Sequence, residues 1–149
     1  MNDVMSCGIH RQWKDHFINK LNPYQGTRLI DVAGGTGDIA FRFIQRCKQN
    51  NDTKSSVIVC DINAEMMRVG QNRAKELGYH NNQLIQWVQG DAMQLPFEDN
   101  EFDAYTIAFG IRNVVNIEKA LEEAFRVLRK GGIFLCLEFS QMKNPIFEK

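Results

Sequence analysis

Strand-like and helix-like segments alternate along this chain, a glycine turn follows the first apolar run, and the first three runs end in aspartates. Together these predict an α/β fold with a doubly wound, mostly parallel sheet that carries its ligand at the carboxyl ends of the strands. Taken in order, Ile9, Trp13, Phe17 and Leu21 recur every fourth residue and give one apolar helix stripe, stopped at Asn22-Pro23, that should pack as a flank or lid. The first strand, Arg28 to Val32, leads through the glycine turn to a helix from Asp38 to about Cys47, with Ile39, Phe43 and Ile44 inward. Polar residues 49–55 make a loop. Val57-Ile58-Val59-Cys60 is the continuous apolar run of a parallel strand covered on both faces, and it ends at Asp61. A helix follows from about Ala64 to Leu77, with Gly78 at its C-cap.

A third strand, about Gln83 to Gln89, stops at Gly90-Asp91, and Leu95 to Asn100 is a turn-rich crossing. Phe102 to Phe109 forms the fourth strand. The helix from Asn116 to Arg129 places Ile117, Ala120, Leu121, Ala124 and Leu128 on one face, and Gly131-Gly132 should break it before a fifth strand, Ile133 to Phe139.

At 149 residues, 44% hydrophobic, the chain suits one domain with its own core: a helical flank over 1–24 and a ligand-binding core over 27–140. Eighteen basic residues balance eighteen acidic ones, so the basic patch expected of a nucleic-acid binder is absent. The cysteines at 7, 47, 60 and 136 stand singly, which argues against zinc and thiol redox and for buried small hydrophobes. Apolar runs fall short of the roughly 18 residues that span a bilayer, so a soluble or peripheral protein is expected. The first residues already belong to an amphipathic segment, which suggests that upstream sequence has been removed.

The turn Ala33-Gly34-Gly35-Thr36-Gly37-Asp38 is a cofactor cradle, its glycines supplying positive φ angles and missing Cβ atoms so that backbone N–H groups reach a ligand. Gly35-x-Gly37-x-x-Ala40 also fits a loose dinucleotide fingerprint. Asp31 at the strand end and Asp38 after the last glycine would oppose a bound diphosphate. They suit S-adenosylmethionine, whose ammonium and sulfonium are cationic and whose carboxylate can take backbone N–H groups. Asp38 could equally be an ordinary N-cap. Asp61 lies 24 positions after Gly37, close to the spacing of roughly 20 at which an acid takes ribose hydroxyls. Asp91 could accept from the adenine amino group while small Ala92 leaves room for the ring, or Gly90-Asp91 could simply be a turn.

Further marks are Met1-Asn2-Asp3-Val4-Met5-Ser6 with His10 and Trp13, Phe109-Gly110-Ile111-Arg112-Asn113, and Arg126 to Gly132 leading to Leu137-Glu138-Phe139-Ser140. On these the chain resembles the UbiE-type ubiquinone and menaquinone C-methyltransferases, Rossmann-like class I S-adenosylmethionine-dependent enzymes, over nearly its whole length. Asp31 to Phe41 and Cys60-Asp61-Ile62-Asn63 look most like the mitochondrial eukaryotic members. The resemblance implies that Thr36, Asp61, Asp91 and Ala92 contact S-adenosylmethionine. It also implies a polyprenyl benzoquinol substrate in ubiquinone synthesis, a multi-subunit quinone-synthesis complex, and a peripheral place on the matrix side of the inner mitochondrial membrane. Lys130 departs from the family, which usually has proline or valine there, and is expected in a helix-ending turn far from the crevice. The family's sheet continues further, so a form truncated after the fifth strand is expected.

The chemistry implied is in-line transfer of a methyl to an electron-rich ring carbon, where positioning and stabilisation of a phenolate raise the rate. Arg112 is the candidate for the phenolate and Asn113 for orienting a ring oxygen; an ion pair to a neighbouring acid is the plain alternative for Arg112. His10 could do acid or base work or merely fix its helix, and Glu138 and Ser140 at a strand end are balanced between both readings. Two other functions stay open: a methyltransferase of another small aromatic or lipid, and a shortened non-catalytic member that binds quinone-synthesis partners. A nicotinamide oxidoreductase would bind NAD instead.

Overall fold

A computed structural model of the chain describes residues 12, 14–21, 23–79, 83–108, 114–137 and 146–148. After a helix over 14–21 (α1) come β1 (Arg28–Val32), α2 (Asp38–Gln49), β2 (Ser56–Asp61), α3 (Ala64–Glu76), β3 (Ile85–Gln89), β4 (Phe102–Ala108), α4 (Ile117–Val127), β5 (Leu128–Leu137) and β6 (Ile146–Glu148). The described strands form one sheet in the order β3-β2-β1-β4-β5-β6, parallel except for β6, which runs antiparallel to β5.

Side chains alternate across each strand, and both faces of this sheet are covered. Leu29, Val57 and Val59 point to one core with Phe17, Leu21, Phe43 and Ile44 from α1 and α2. Ile30, Val32, Ile58 and Cys60 point to the other, against Ala120, Ala124 and Val127 of α4. Double coverage explains why β1 and β2 read as unbroken apolar runs rather than alternating ones. The apolar stripe foreseen on the first helix is buried at Phe17 and Leu21, while Ile9 and Trp13 lie outside the described residues.

Helix ends follow from local chemistry. Asn63 caps α3, its side-chain oxygen accepting from the N–H groups of Glu65 and Met66. At the other end Gly78 sits just past the cap at φ 84, with Gly78 N–H bonded to Lys75 O and Tyr79 N–H to Ala74 O, the paired bonds of a Schellman closure.

Three expectations need correction. Gly131-Gly132 does not separate helix from strand: α4 ends at Val127, and Leu128, fully buried and extended, already pairs with Phe102. The pairing then jumps to Ala104 opposite Ile133, so residues 129–132 bulge out of β5, with Gly131 at φ 86 taking the left-handed backbone. Lys130 is an exposed member of that bulge rather than of a helix-ending turn. Ile117, expected inward, is 45% exposed at the first turn of α4. Beside the five parallel strands expected, the sheet carries a short antiparallel one, β6, paired with Ile133 to Leu135.

Candidate active site

The strand order reverses between β1 and β4, since β1 leads outward through β2 to β3 and β4 outward to β5. Such a reversal opens a crevice at the carboxyl ends of the strands. Two cavities lie there. One of about 230 Å³ is lined by Lys14, Asp31, Gly34, Thr36 and Asp38 among others, and one of about 410 Å³ by Asp61, Ile62, Asp91, Ala92 and Val115 among others. They share Ala33, Asp61 and Met66, so they adjoin along one trough at the strand ends.

The turn that floors the trough differs from the expected glycine geometry. Ala33, not Gly34 or Gly35, takes the left-handed backbone at φ 58, and Gly37 does so at φ 85. Gly34 is needed instead for space: a Cβ there would stand 2.1 Å from Asp31 Oδ2. At Gly35 a Cβ would stand 2.7 Å from Asp61 Oδ2 and from Met66 Cβ. The turn therefore rests directly on two acids, which a side chain would push away.

Asp31 is 1% exposed; its Oδ1 accepts from the Thr106 hydroxyl at 2.8 Å, and its Oδ2 is buried without a hydrogen-bond partner among the described residues. Burial drives its pKa up to about 7; the Thr106 bond opposes this, and the charges of Asp38 and Asp61 add to the rise. Asp61 accepts Gly35 N–H on Oδ2 at 2.9 Å and Asn63 N–H on Oδ1 at 2.8 Å, joining the turn after β1 to the end of β2. Asp91 accepts Met93 N–H at 2.9 Å in a turn closed against Gln94, and it lines the larger cavity too, so its turn and site readings coincide. Thr36 lines the smaller cavity while its carbonyl accepts from Arg73 at 3.0 Å.

Asp38 is not the N-cap. Gly37 holds that position without a side-chain bond, and Asp38 opens α2 with Lys14 and Arg73 each 3.0 Å from its carboxylate. Burial works against its charge, but those two cations outweigh it and hold its pKa below the usual carboxylate range. Its charge is thus balanced, and the case against a diphosphate shifts to Asp31 and Asp61. Sequence reasoning passed over Lys14, Arg73 and Thr106, since a polar residue on an amphipathic helix or inside a strand announces no partner. Ile62 and Met66 were equally silent, although Ile62 directly follows the acid that ends β2.

Arg112, Asn113, His10, Glu138 and Ser140 lie outside the described residues. Ala108 and Val114, which flank 109–113, line the smaller and the larger cavity respectively. Cys47, Cys60 and Cys136 are buried, and the Cys60 thiol is pushed up to about 12 by burial and the surrounding acids. Among the described residues no group of three or more possible ligands could hold a metal ion.

An adenosyl sulfonium cofactor fits this donor set. The orphaned Asp31 oxygen calls for a cation, the carboxylates at the ends of β2 and β3 call for hydroxyl and amino donors, and the side-chain-free cradle admits close backbone approach. Fold and site together define the class I S-adenosylmethionine-dependent methyltransferases. A SAM-dependent methyltransferase from Aquifex aeolicus shares the fold at a TM-score of 0.69 and 19% identity, over 84% of this chain and 63% of that one.

The ubiE/COQ5 methyltransferase family matches residues 1–149, and the chain belongs to that family. It is 51% identical to the mitochondrial 2-methoxy-6-polyprenyl-1,4-benzoquinol methylase of Oryza sativa subsp. japonica, over 100% of this chain and 54% of that protein. Against the Homo sapiens protein of the same name the identity is 48%, again over 100% of this chain and 54% of the relative. The chain therefore spans about half the length of the curated relatives it matches. S-adenosylmethionine is the cofactor that this family membership brings.

Proposed function

We propose that this chain is a single methyltransferase domain, with a helical flank over 1–24 and a cofactor-binding core over 27–140, that methylates a ring carbon of a polyprenyl benzoquinol in mitochondrial ubiquinone synthesis. One observation carries the reading: the crevice brings a buried acid with an oxygen that no described residue meets beside Asp61 and Asp91 at the ends of β2 and β3, in a chain about half identical to named benzoquinol methylases. Bound S-adenosylmethionine supplies an electrophilic methyl on a leaving thioether. The chain's own residues then have to bind, orient and exclude water. Gly34, Gly35, Thr36 and Gly37 give the backbone cradle, Asp31 faces the cationic end, Asp61 takes the ribose, and Asp91 with Ala92 takes the adenine.

Arg112 stabilises the substrate's phenolate and Asn113 orients a ring oxygen. In support, the described neighbours of their segment line the crevice, Ala108 the smaller cavity and Val114 the larger. A polyprenylated substrate dissolves in the bilayer, so the enzyme meets it at the surface of the inner membrane, on the matrix side and within a quinone-synthesis complex; no described helix is long and apolar enough to cross. The test incubates the protein with S-adenosylmethionine and a short-tailed demethyl benzoquinol. One added methyl on carbon, lost in Arg112→Ala at saturating cofactor, supports the reading. Cofactor binding with no methylated quinol would overturn it.

A further inference from the structure

One buried polar atom of the crevice meets no hydrogen-bond partner among the described residues. Asp31 Oδ2 is buried and unpartnered at the floor of the smaller cavity, directly beneath Gly34. A buried carboxylate without a cation is costly, and the acid avoids the cost by keeping its proton. We infer that Asp31 exchanges its proton for the cofactor's ammonium, so that ligands bearing the amino-acid group expel a proton from this site and nucleoside ligands lacking it do not. The inference rests on the cofactor reading above and adds to it a specificity-determining role for one residue.

Among the described groups around Asp31, Asp31 is the one that responds. From α1 and α3, Lys14 and Arg73 approach the site, but both are engaged by Asp38 at 3.0 Å, so neither neutralises Asp31. From α2, Asp38 is held ionised by those cations, and from β2, Asp61 is fixed by two backbone N–H groups. Both acids add negative charge beside Asp31 and favour its protonated form. Cys60 on β2 and Tyr105 on β4 are driven upward by burial, out of the neutral range. Thr106 on β4 donates to Oδ1 and is the one described side chain that favours the anion. Burial and the two acids prevail, and the carboxyl titrates at about 7. A cation brought to the turn reverses that balance. The carboxyl then loses its proton to solvent and the carboxylate gains an ion partner, with charge conserved.

Calorimetry of the whole chain tests this with S-adenosylhomocysteine, which has the ammonium, and 5′-methylthioadenosine, which lacks it. Each is titrated at pH 7 in two buffers of different ionisation heat. The expected result is release of about half a proton with the first and none with the second, because a group titrating near 7 is about half protonated there. Affinity for S-adenosylhomocysteine should rise roughly tenfold between pH 6 and pH 8, and affinity for the nucleoside should stay level. Asp31→Asn should abolish the release. Thr106→Val, which removes the donor that favours the anion, should move the midpoint upward, and it decides the matter if Asp31→Asn fails to fold. Equal proton release with both ligands, or release that persists in Asp31→Asn, overturns the inference alone. Failure of S-adenosylhomocysteine to bind at any pH overturns the cofactor reading and the inference with it.

Discussion

Acids at the two ends of one sheet are treated in opposite ways. At the amino ends, Asp103 accepts Arg28 N–H at 2.7 Å and pairs with Arg129, while Glu123 takes two bonds from Arg126 and one from Leu95 N–H. Arg126 also reaches Asp99 at 2.8 Å and the carbonyls of Leu95 and Phe97, tying the 95–99 crossing to α4. At the carboxyl ends, Asp31 keeps an unpartnered oxygen, and Asp61 and Asp91 take hydrogen bonds from backbone N–H groups. The amino-end acids are paired with arginines inside the fold, as Asp38 is with Lys14 and Arg73 at the other end, whereas Asp31 keeps a buried oxygen that no described residue meets.

Replacements can break that contrast. Gly34→Ala should do most: its Cβ would meet Asp31 Oδ2 at 2.1 Å, so S-adenosylhomocysteine binding should vanish in calorimetry, with a cost of about 3 kcal/mol in denaturant unfolding. At the other end, Arg126→Ala strips four partners and should cost about 2 kcal/mol, leaving cofactor affinity within a few-fold. Asp31→Asn should have the opposite sign. Its folded value of about 7 lies above its ordinary 3.8, so the ligand-free protein holds a proton that the unfolded chain has lost. Stability of the parent should then fall as pH rises from about 4 to about 7 and level off beyond. At pH 8 Asp31→Asn should melt higher than the parent, by about 1 kcal/mol or more, while binding S-adenosylhomocysteine more weakly. The smallest effect belongs to Arg68→Ala, whose pair with Glu65 is exposed on both sides, and it should change stability by less than about 0.5 kcal/mol.

Much of this architecture was legible in the sequence. The β1 run, the Asp38 start of α2 and the Gly78 stop of α3 rest on local chemistry, apolar burial and turn geometry, that needs no distant partner. Asp61 and Asp91 were legible because a parallel sheet puts strand ends at its ligand crevice. What escaped depends on residues far apart in the chain. The bulge at 129–132 arises because Leu128 is buried against β4, so tertiary pairing overrode the helix signal that continued through Arg129. The ion partners of Asp38 escaped for a similar reason, since Lys14 and Arg73 lie 24 and 35 positions away and no spacing announces them. Of the two reasons expected for Gly34, the missing Cβ holds, because a Cβ would meet Asp31, and the positive φ does not.

The Gly35 N–H bond to Asp61 has a consequence for how a ligand arrives. The loop that would embrace it is already fastened to the neighbouring strand, so little chain entropy remains to be lost on association. Capture then resembles a key entering a finished lock, and on-rates for adenosyl compounds should approach those set by diffusion and alignment rather than by a slow rearrangement.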